Sequence, residues 1–586
     1  MRLRRPRFGL SLSELRPVLF ALVAFAPAKA ATPLTESGFA SRVDELRETG
    51  QITWEEGLLL QFQRVFAPGE LPDGLRSVDA IPTKSATGLV WEFERMRGGL
   101  SIPVRALIEG YLAPRSATNE YVTAHFRFAY DTIGEDAVPS DDLDASGVPD
   151  FVERAGAWAE TSRTTFRNAG FASPVGRDGL VDVEFRAMNA YGLTRIVGGF
   201  PVISLHNDFL GFPDNSDPEG SDRGAAKVTI AHETKHASQY AASGWTEGGW
   251  LEADATWAED FVFDQVDDYV RYVAERSPVS NPDSWLPAGY GACVWQHLLE
   301  QRHGVELLKE FFDRRSAMRQ EDARESFEFA LNAYGSDVAT EARELGLWSY
   351  FCGANSGGKP MGFDEAAAWP TPPYVAHVVE PSATRSGRLG GLESHYLLIQ
   401  AGDRIGSPVL ALTGAGAARC SMSALLLRTS GVREVIPVPV DGTGAALELP
   451  CEWSDLAMLA VVITNRDAFS PETEWFVTID VDGAVDVLDP EAAVPFALAA
   501  PRPNPFRGST ALAFSLPRES DVRLAVFDVS GRLVRRLIDG ERLPAGPHER
   551  RWDGTDEVGR TAAPGVYYYR LQSGEYSDSR RMLLLR

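Results

Sequence analysis

The chain has 586 residues, enough for three or four domains at about 150 residues each. Apolar residues make up 44% and charged residues 24%, which excludes a disordered, collagenous or coiled-coil protein. Net charge is −25; residues 1–30 carry a local +5, so the remaining 556 carry −30 and no nucleic acid is expected as a partner.

The start reads as a targeting segment. A basic stretch, MRLRRPR, precedes the apolar run 18–26, and Ala28-Lys29-Ala30 has the small-x-small pattern of a cleavage site. Residues 1–30 are therefore expected to be a signal peptide. No later stretch approaches about 18 uninterrupted apolar residues, so no transmembrane anchor is expected after cleavage. A secreted or cell-surface location follows. Residues 31–80 read as an N-terminal helical segment, a candidate pro-segment: SGFASRVDELRETG ends at Gly50, and WEEGLLLQFQRVF stops before Pro68. Residues 81–365 read as one domain, with strand-like runs such as YVTAHFRFAY first and mostly helix from about 150.

SDDLDASGVPDFVERAG fits a twelve-residue calcium loop. Asp142, Asp144 and Ser146 fall at positions 1, 3 and 5, and Gly147 at the turn position. Val148 offers its carbonyl at 7, Asp150 stands at 9 and Glu153 at 12. A structural Ca²⁺ is expected there; the plainer reading is an Asp-rich turn before a helix. Further on, FPVISLHNDF (200–209) is expected to be an edge strand able to pair with an extended peptide.

The sharpest signal is KVTIAHETKHASQYAAS. On a helix, His232 and His236 lie one turn apart on the same face and can hold one Zn²⁺. Glu233 is placed to take a proton from a zinc-bound water. A catalytic zinc needs a third protein ligand and keeps one position open. Glu252, 16 residues after His236, is the expected third ligand, with Glu247 and Asp254 as fallbacks. Gly and Ser turns between them allow a second helix to fold back. Glu259 or Asp260 is expected to accept the histidine N–H groups. Tyr290 is a candidate donor to a tetrahedral oxyanion.

In this window the sequence resembles the gluzincins. H-E-x-x-H followed by W-x-E-x-x-A-x-W-x-E looks like the aminopeptidase-N-like enzymes. It looks closer to a group of secreted bacterial metallopeptidases with A-H-E-x-x-H-x-x-Q and W-x-E-A-x-A-T-W-x-E-D, matched by Ala231–Gln239 and Trp250–Asp260. The resemblance spans about 50–350 and implies an α+β zincin-like catalytic domain acting on protein or peptide substrates. Two features depart from the pattern: the gap from His236 to Glu252 is short, and Lys235 places a charge inside the motif. The reading from another class is a surface adhesin or binding protein with a degenerate zincin core.

The four cysteines, Cys293, Cys352, Cys420 and Cys451, form no C-x-x-C pair, which excludes a zinc ribbon. In an exported chain two disulfides are expected, Cys420–Cys451 and Cys293–Cys352, against the alternative of buried free thiols. Short β runs over 370–487 predict a β-sandwich. The Ala- and Pro-rich stretch 488–500 reads as a linker. Residues 501–586 predict a C-terminal Ig-like sandwich. P-N-P-F, V-x-D-x-x-G-R and P-G-V-Y-Y there resemble type IX secretion sorting domains and flagellar-hook-cap-like Ig modules, implying an export machinery as partner.

Overall fold

The computed structural model describes residues 36–76, 81–281 and 289–379, and 383–585 apart from short segments and 481–496. The expected signal peptide and most of the expected linker lie outside the described residues. Among those residues no helix is long and apolar enough to cross a membrane.

Two helices open the chain, α1 (Glu36–Glu48) and α2 (Trp54–Phe66). A capping box starts α2: Thr53 Oγ1 accepts from the Glu56 amide at 3.2 Å, and Glu56 Oε2 accepts from the Thr53 amide at 2.7 Å. After β1 (Thr83–Ser85) come α3 (Thr87–Met96) and α4 (Ile102–Tyr111). These two helices stand in a region read as strand-bearing. Their apolar residues recur at helical spacing, and Phe93, Val104 and Ile108 share a small core with Leu58 and Phe62 of α2.

The next elements are β2 (Asn119–Val122), β3 (Phe126–Tyr130), α5 (Asp150–Asn168), β4 (Val181–Arg186), β5 (Ala190–Val197) and β6 (Phe200–His206). The six strands form one sheet in the order β1-β5-β6-β4-β3-β2. β3, β4 and β6 are parallel, β5 runs against β6, and β1 lies parallel to β5. The expected edge strand is thus corrected: residues 200–206 lie inside the sheet, and the rim is β5 with β1 added. Both faces of β6 are covered. Ile203 and Leu205 enter the core, while buried Ser204 bonds Glu184 and Arg195.

α6 (Ser221–Ser243) packs under this sheet beside α5, and Ala225, Ala226, Ile230 and Ala237 join Phe126, Phe128, Val183 and Ile203 in one core. Small residues let α6 sit close to neighbours on all sides, so it is buried almost throughout its middle. α7 (Trp250–Phe263), α8 (Val270–Glu275), a 3₁₀ turn (Tyr290–Cys293), α9 (Val294–His303), α10 (Val305–Ala317), α11 (Ala323–Ala333) and α12 (Val338–Tyr350) complete this part. Trp257, Trp295, Leu298, Phe311 and Phe327 lead their shared core.

A β-sandwich follows: β7 (Ala376–Val378), β8 (Ala383–Leu389), β9 (Ser394–Gln400), β10 (Val409–Thr413), β11 (Cys420–Arg428), β12 (Arg433–Val438), β13 (Ala445–Glu448), β14 (Leu456–Asn465) and β15 (Thr473–Asp480). Its sheets run β13-β10-β15-β8 and β12-β11-β14-β9-β7. The unbroken apolar run of β14 is explained by burial on both faces: Leu459, Val461 and Ile463 point between the sheets, Ala460 and Val462 toward Leu347 and Tyr350 of α12.

The last module holds β16 (Ala497–Leu498), β17 (Thr510–Leu516), β18 (Ser520–Asp528), β19 (Leu533–Leu543), β20 (Gly546–Trp552), β21 (Gly565–Ser573) and β22 (Tyr576–Leu584). Its sheets are β16-β17-β20 and β19-β18-β21-β22, closed on Phe506, Leu524, Trp552 and Tyr569. Because Ala497 pairs with Ser515, the module begins inside the stretch read as a linker.

The expected disulfides are corrected: all four cysteines are free thiols. Cys293 and Cys352 pack as small apolar groups in the helical core, Cys420 and Cys451 in or against the sandwich core. Burial pushes the Cys352 and Cys420 thiols up to about 12.

Candidate metal centre

Three atoms from two helices converge. His232 Nε2 lies 3.1 Å from His236 Nε2 and 3.0 Å from Glu252 Oε2, and His236 Nε2 lies 3.4 Å from that same oxygen. Tetrahedral zinc with bonds near 2.0–2.1 Å requires donors about 3.3 Å apart, so this triangle has the span for one ion with a fourth position over it. Glu252 is therefore brought to the histidine pair as expected.

The groups behind the histidines fix their tautomers. His232 Nδ1 is 2.7 Å from Glu259 Oε1. His236 Nδ1 is 2.7 Å from Gln239 Oε1, while Gln239 Nε2 donates to the Leu251 carbonyl at 3.1 Å and to Asp254 Oδ2 at 2.8 Å. With its N–H₂ so committed, the amide presents oxygen to His236. Both Nδ1 atoms therefore carry hydrogen, and both Nε2 atoms turn toward Glu252. Burial lowers the His232 pKa, but Glu252 and Glu259 outweigh it and raise it to about 10. Burial raises that of Glu252, but His236 and His232 outweigh it and take it down to about 2.

The roles left open behind the pair fall to Glu259, with Asp260 turned toward His297 Nδ1 at 3.8 Å, and to Gln239, the last residue of the matched motif, to which the sequence reading gave no role. Its position one turn after His236 was the available signal. Neither fallback ligand joins the three donors. Asp254 pairs with Gln239 and Lys235, and Glu247 is buried with its carboxyl pushed up to about 7 by burial. Lys235 does not face the donor set. Its Nζ sits 3.3 Å from the Phe171 ring centroid, with Phe166, Trp257 and Phe312 around it and Asp254 Oδ2 at 3.3 Å.

Glu233 is 0% exposed. Its carboxylate accepts from Ser85 Oγ at 3.0 Å, Thr87 Oγ1 at 2.9 Å and Thr194 Oγ1 at 2.7 Å. Gly192 on β5 lets α6 come this close: a Cβ there would stand 2.9 Å from Glu233 Cγ. The Tyr290 ring centroid is 6.3 Å from that of His232, so Tyr290 too is at the site. Ser85, Thr87 and Thr194 were invisible to motif reasoning, since each stands 39 residues or more from Glu233.

In the candidate calcium loop, Asp142, Asp144 and Asp150 bring carboxylate oxygens within 4.8 Å of one another, without Glu153. The Ser146 amide donates to Asp142 Oδ1 and Asp144 Oδ1, both at 3.0 Å, and the Val148 carbonyl accepts from Ser146 Oγ at 3.2 Å. Gly147 has φ +86°, the left-handed conformation the turn demands. Glu153 stands in the first turn of α5.

Residues 503–576 match the FlgD Ig-like domain family, and with its two-sheet core the C-terminal module is an Ig-like domain. No curated protein matches the chain. Among solved structures the chain is similar to FlgD from P. aeruginosa (28% identity, 13% of this chain and 57% of that one, TM-score 0.11). It is also similar to two Porphyromonas gingivalis proteins. One is PorZ, a surface component of the type-IX secretion system (18% identity, 19% of this chain and 14% of that one, TM-score 0.12). The other is latent PorU (17% identity, 36% of this chain and 19% of that one, TM-score 0.17).

Proposed function

We propose that this chain is an exported zinc metallopeptidase, built on a zincin-like α+β domain. The observation that carries the reading is the triangle of His232 Nε2, His236 Nε2 and Glu252 Oε2, with sides of 3.0 to 3.4 Å. A zinc ion held there supplies Lewis acidity toward water and a peptide carbonyl. Glu233, on the same turn of α6, takes the proton of the attacking water and carries it to the leaving amine. Tyr290 donates to the oxyanion of the cleaved peptide bond. Glu259 and Gln239 hold the imidazoles in the ligating tautomer. The substrates are proteins or peptides. The test is a Glu233→Gln chain that keeps its metal and loses hydrolysis; metal retained by a wild-type chain that cleaves no peptide under activating conditions would favour the adhesin or binding-protein reading.

Two accessory roles belong to the proposal. The 142–153 loop holds a structural Ca²⁺ that ties β3 to the start of α5. The Ig-like domain serves export or display at the cell surface, its resemblance to sorting modules being the support.

A further inference from the structure

His232, Glu233 and His236 are at most 1% exposed, and the Glu252 side chain keeps 14% of its surface. Part of what covers these groups is the chain's own segment 83–88. β1 lies on the outer rim of β5, pairing Thr83 with Ala190 and Ser85 with Gly192, and the Ala86 amide donates to the Gly192 carbonyl at 2.9 Å. Three groups given a chemical role above are engaged by this segment. Ser85 Oγ and Thr87 Oγ1 hold Glu233. The Gly88 amide donates to Glu252 Oε1 at 2.9 Å. Tyr290 OH donates to the Ser85 carbonyl at 2.9 Å and accepts from the Ser85 amide at 3.1 Å. A backbone carbonyl thus already sits on the oxyanion donor.

The side chain between these contacts fills a pocket. Lys84 Nζ is buried, 2.8 Å from Glu259 Oε2 and bonded to Asp268, with the ring centroids of Tyr191 and Tyr272 at 4.7 and 5.4 Å. An extended backbone added to a sheet rim, with a side chain in a specific pocket, is how β-augmentation recognises peptides. Without Lys84, two buried carboxylates would face each other across aromatic walls. A basic side chain restores the pairing; an acidic one adds repulsion.

We propose that β5, Glu233, Tyr290 and the Glu259–Asp268 pocket form a binding cleft for an extended peptide carrying a basic side chain, and that residues 83–88 are its internal occupant, holding the cleft shut until displaced. The consequence for catalysis rests on the peptidase reading; the binding claim stands without it. Displacement has a natural site. Residues 113–118, between α4 and β2, are exposed, so one cut there separates everything up to α4 from the rest.

The test starts from the full chain with a site-specific protease sequence inserted in 113–117. A fluorescein-labelled peptide of residues 81–90 is added before cutting, and again after cutting and removal of the N-terminal piece under mild denaturant. The peptide is expected to bind only the stripped chain. Its Lys84→Arg version should bind comparably, and its Lys84→Glu version at least tenfold more weakly. Equal binding to intact and stripped chains, or equal binding of the Glu version, overturns the proposal. A stripped chain that does not fold is covered by an uncut variant. Ser85→Ala with Thr87→Val in the uncut chain should bind the labelled peptide at least tenfold more tightly than uncut wild type, and equal binding overturns the proposal. Peptide binding as expected with no hydrolysis of any lysine-containing peptide by the zinc-loaded stripped chain would sink the peptidase reading alone.

Discussion

Glu259 Oε1 holds His232 Nδ1 at 2.7 Å, and this one contact links the histidine pair of α6 to the buried charge of β1. The other oxygen of that carboxylate faces Lys84, which is bonded in turn to Asp268. The orientation of a proposed ligand thus depends on a residue 148 positions upstream of it.

Lys235 and Asp254 define a second buried pair between α6 and α7. Lys235→Met leaves Asp254 buried without its cation and is expected to destabilise the protein by about 3–5 kcal/mol. Lys235→Met with Asp254→Asn should recover most of that loss, because the aromatic walls around Nζ accept an apolar chain. Urea unfolding of the two variants measures the difference; equal losses would contradict the pairing.

The 142–153 loop is expected to bind calcium through Asp142, Asp144 and Asp150. Mild calcium chelation should lower the melting temperature before any zinc is lost. Asp142→Ala should show the lower melting temperature from the outset and no further response to calcium. A wild-type melting temperature unmoved by calcium leaves only an Asp-rich turn.

A carboxylate cluster gives the stability a pH dependence. Burial, then Glu365, Asp264, Asp267 and Glu259, push Asp260 up to about 8, and burial, then Asp267 and Asp264, push Glu365 up to about 7. The neighbouring imidazole of His297, taken down to about 3 by burial, supplies no positive charge. Ordinary carboxylates titrate near 4. The folded chain therefore holds protons here that the unfolded chain has released. That stabilising contribution is complete below about pH 4 and is lost as pH rises through 7 to 8. Calorimetry should show Asp260→Asn raising the melting temperature at pH 8.5 and flattening the fall between pH 6 and 8.5. Parallel wild-type and variant curves would contradict it.

Deletion from residue 497 onward should leave the rest of the chain folded, since the Ig-like domain closes on its own core. In the native host the truncated protein should be misplaced. Fractionation of cells and medium measures this, and normal delivery would reduce the domain to an accessory one.

What the sequence disclosed and what it hid divide along physical lines. His232, His236 and Glu252 were legible because helical periodicity and a turn between two helices place them together from local spacing. The closeness of Asp142, Asp144 and Asp150 was legible because a short Asp- and Gly-bearing loop brings residues of one local segment together. Ser85, Thr87 and Thr194, which reach Glu233, and Lys84, which reaches Glu259 and Asp268, were not, because sheet pairing and helix packing bring these groups together across distances that carry no periodicity. Residues 200–209 were read as a rim because their composition suits any strand; only the order of the sheet reveals that β5 lies outside β6. The cysteines misled because an even count says nothing about whether two thiols face each other.

The most direct measurement of the central claim is zinc content and peptide hydrolysis on the same preparations of wild type, Glu233→Gln, His236→Ala, Glu252→Gln and Glu247→Gln, each with the 83–88 segment displaced. Wild type and Glu233→Gln should each hold about one zinc per chain, as a single three-ligand site requires. Glu233→Gln should hydrolyse at least about a hundredfold more slowly. His236→Ala should lose metal and hydrolysis together, Glu252→Gln should bind zinc more weakly, and Glu247→Gln should change neither. Loss of the metal in Glu247→Gln, or hydrolysis undiminished in Glu233→Gln, would contradict the account.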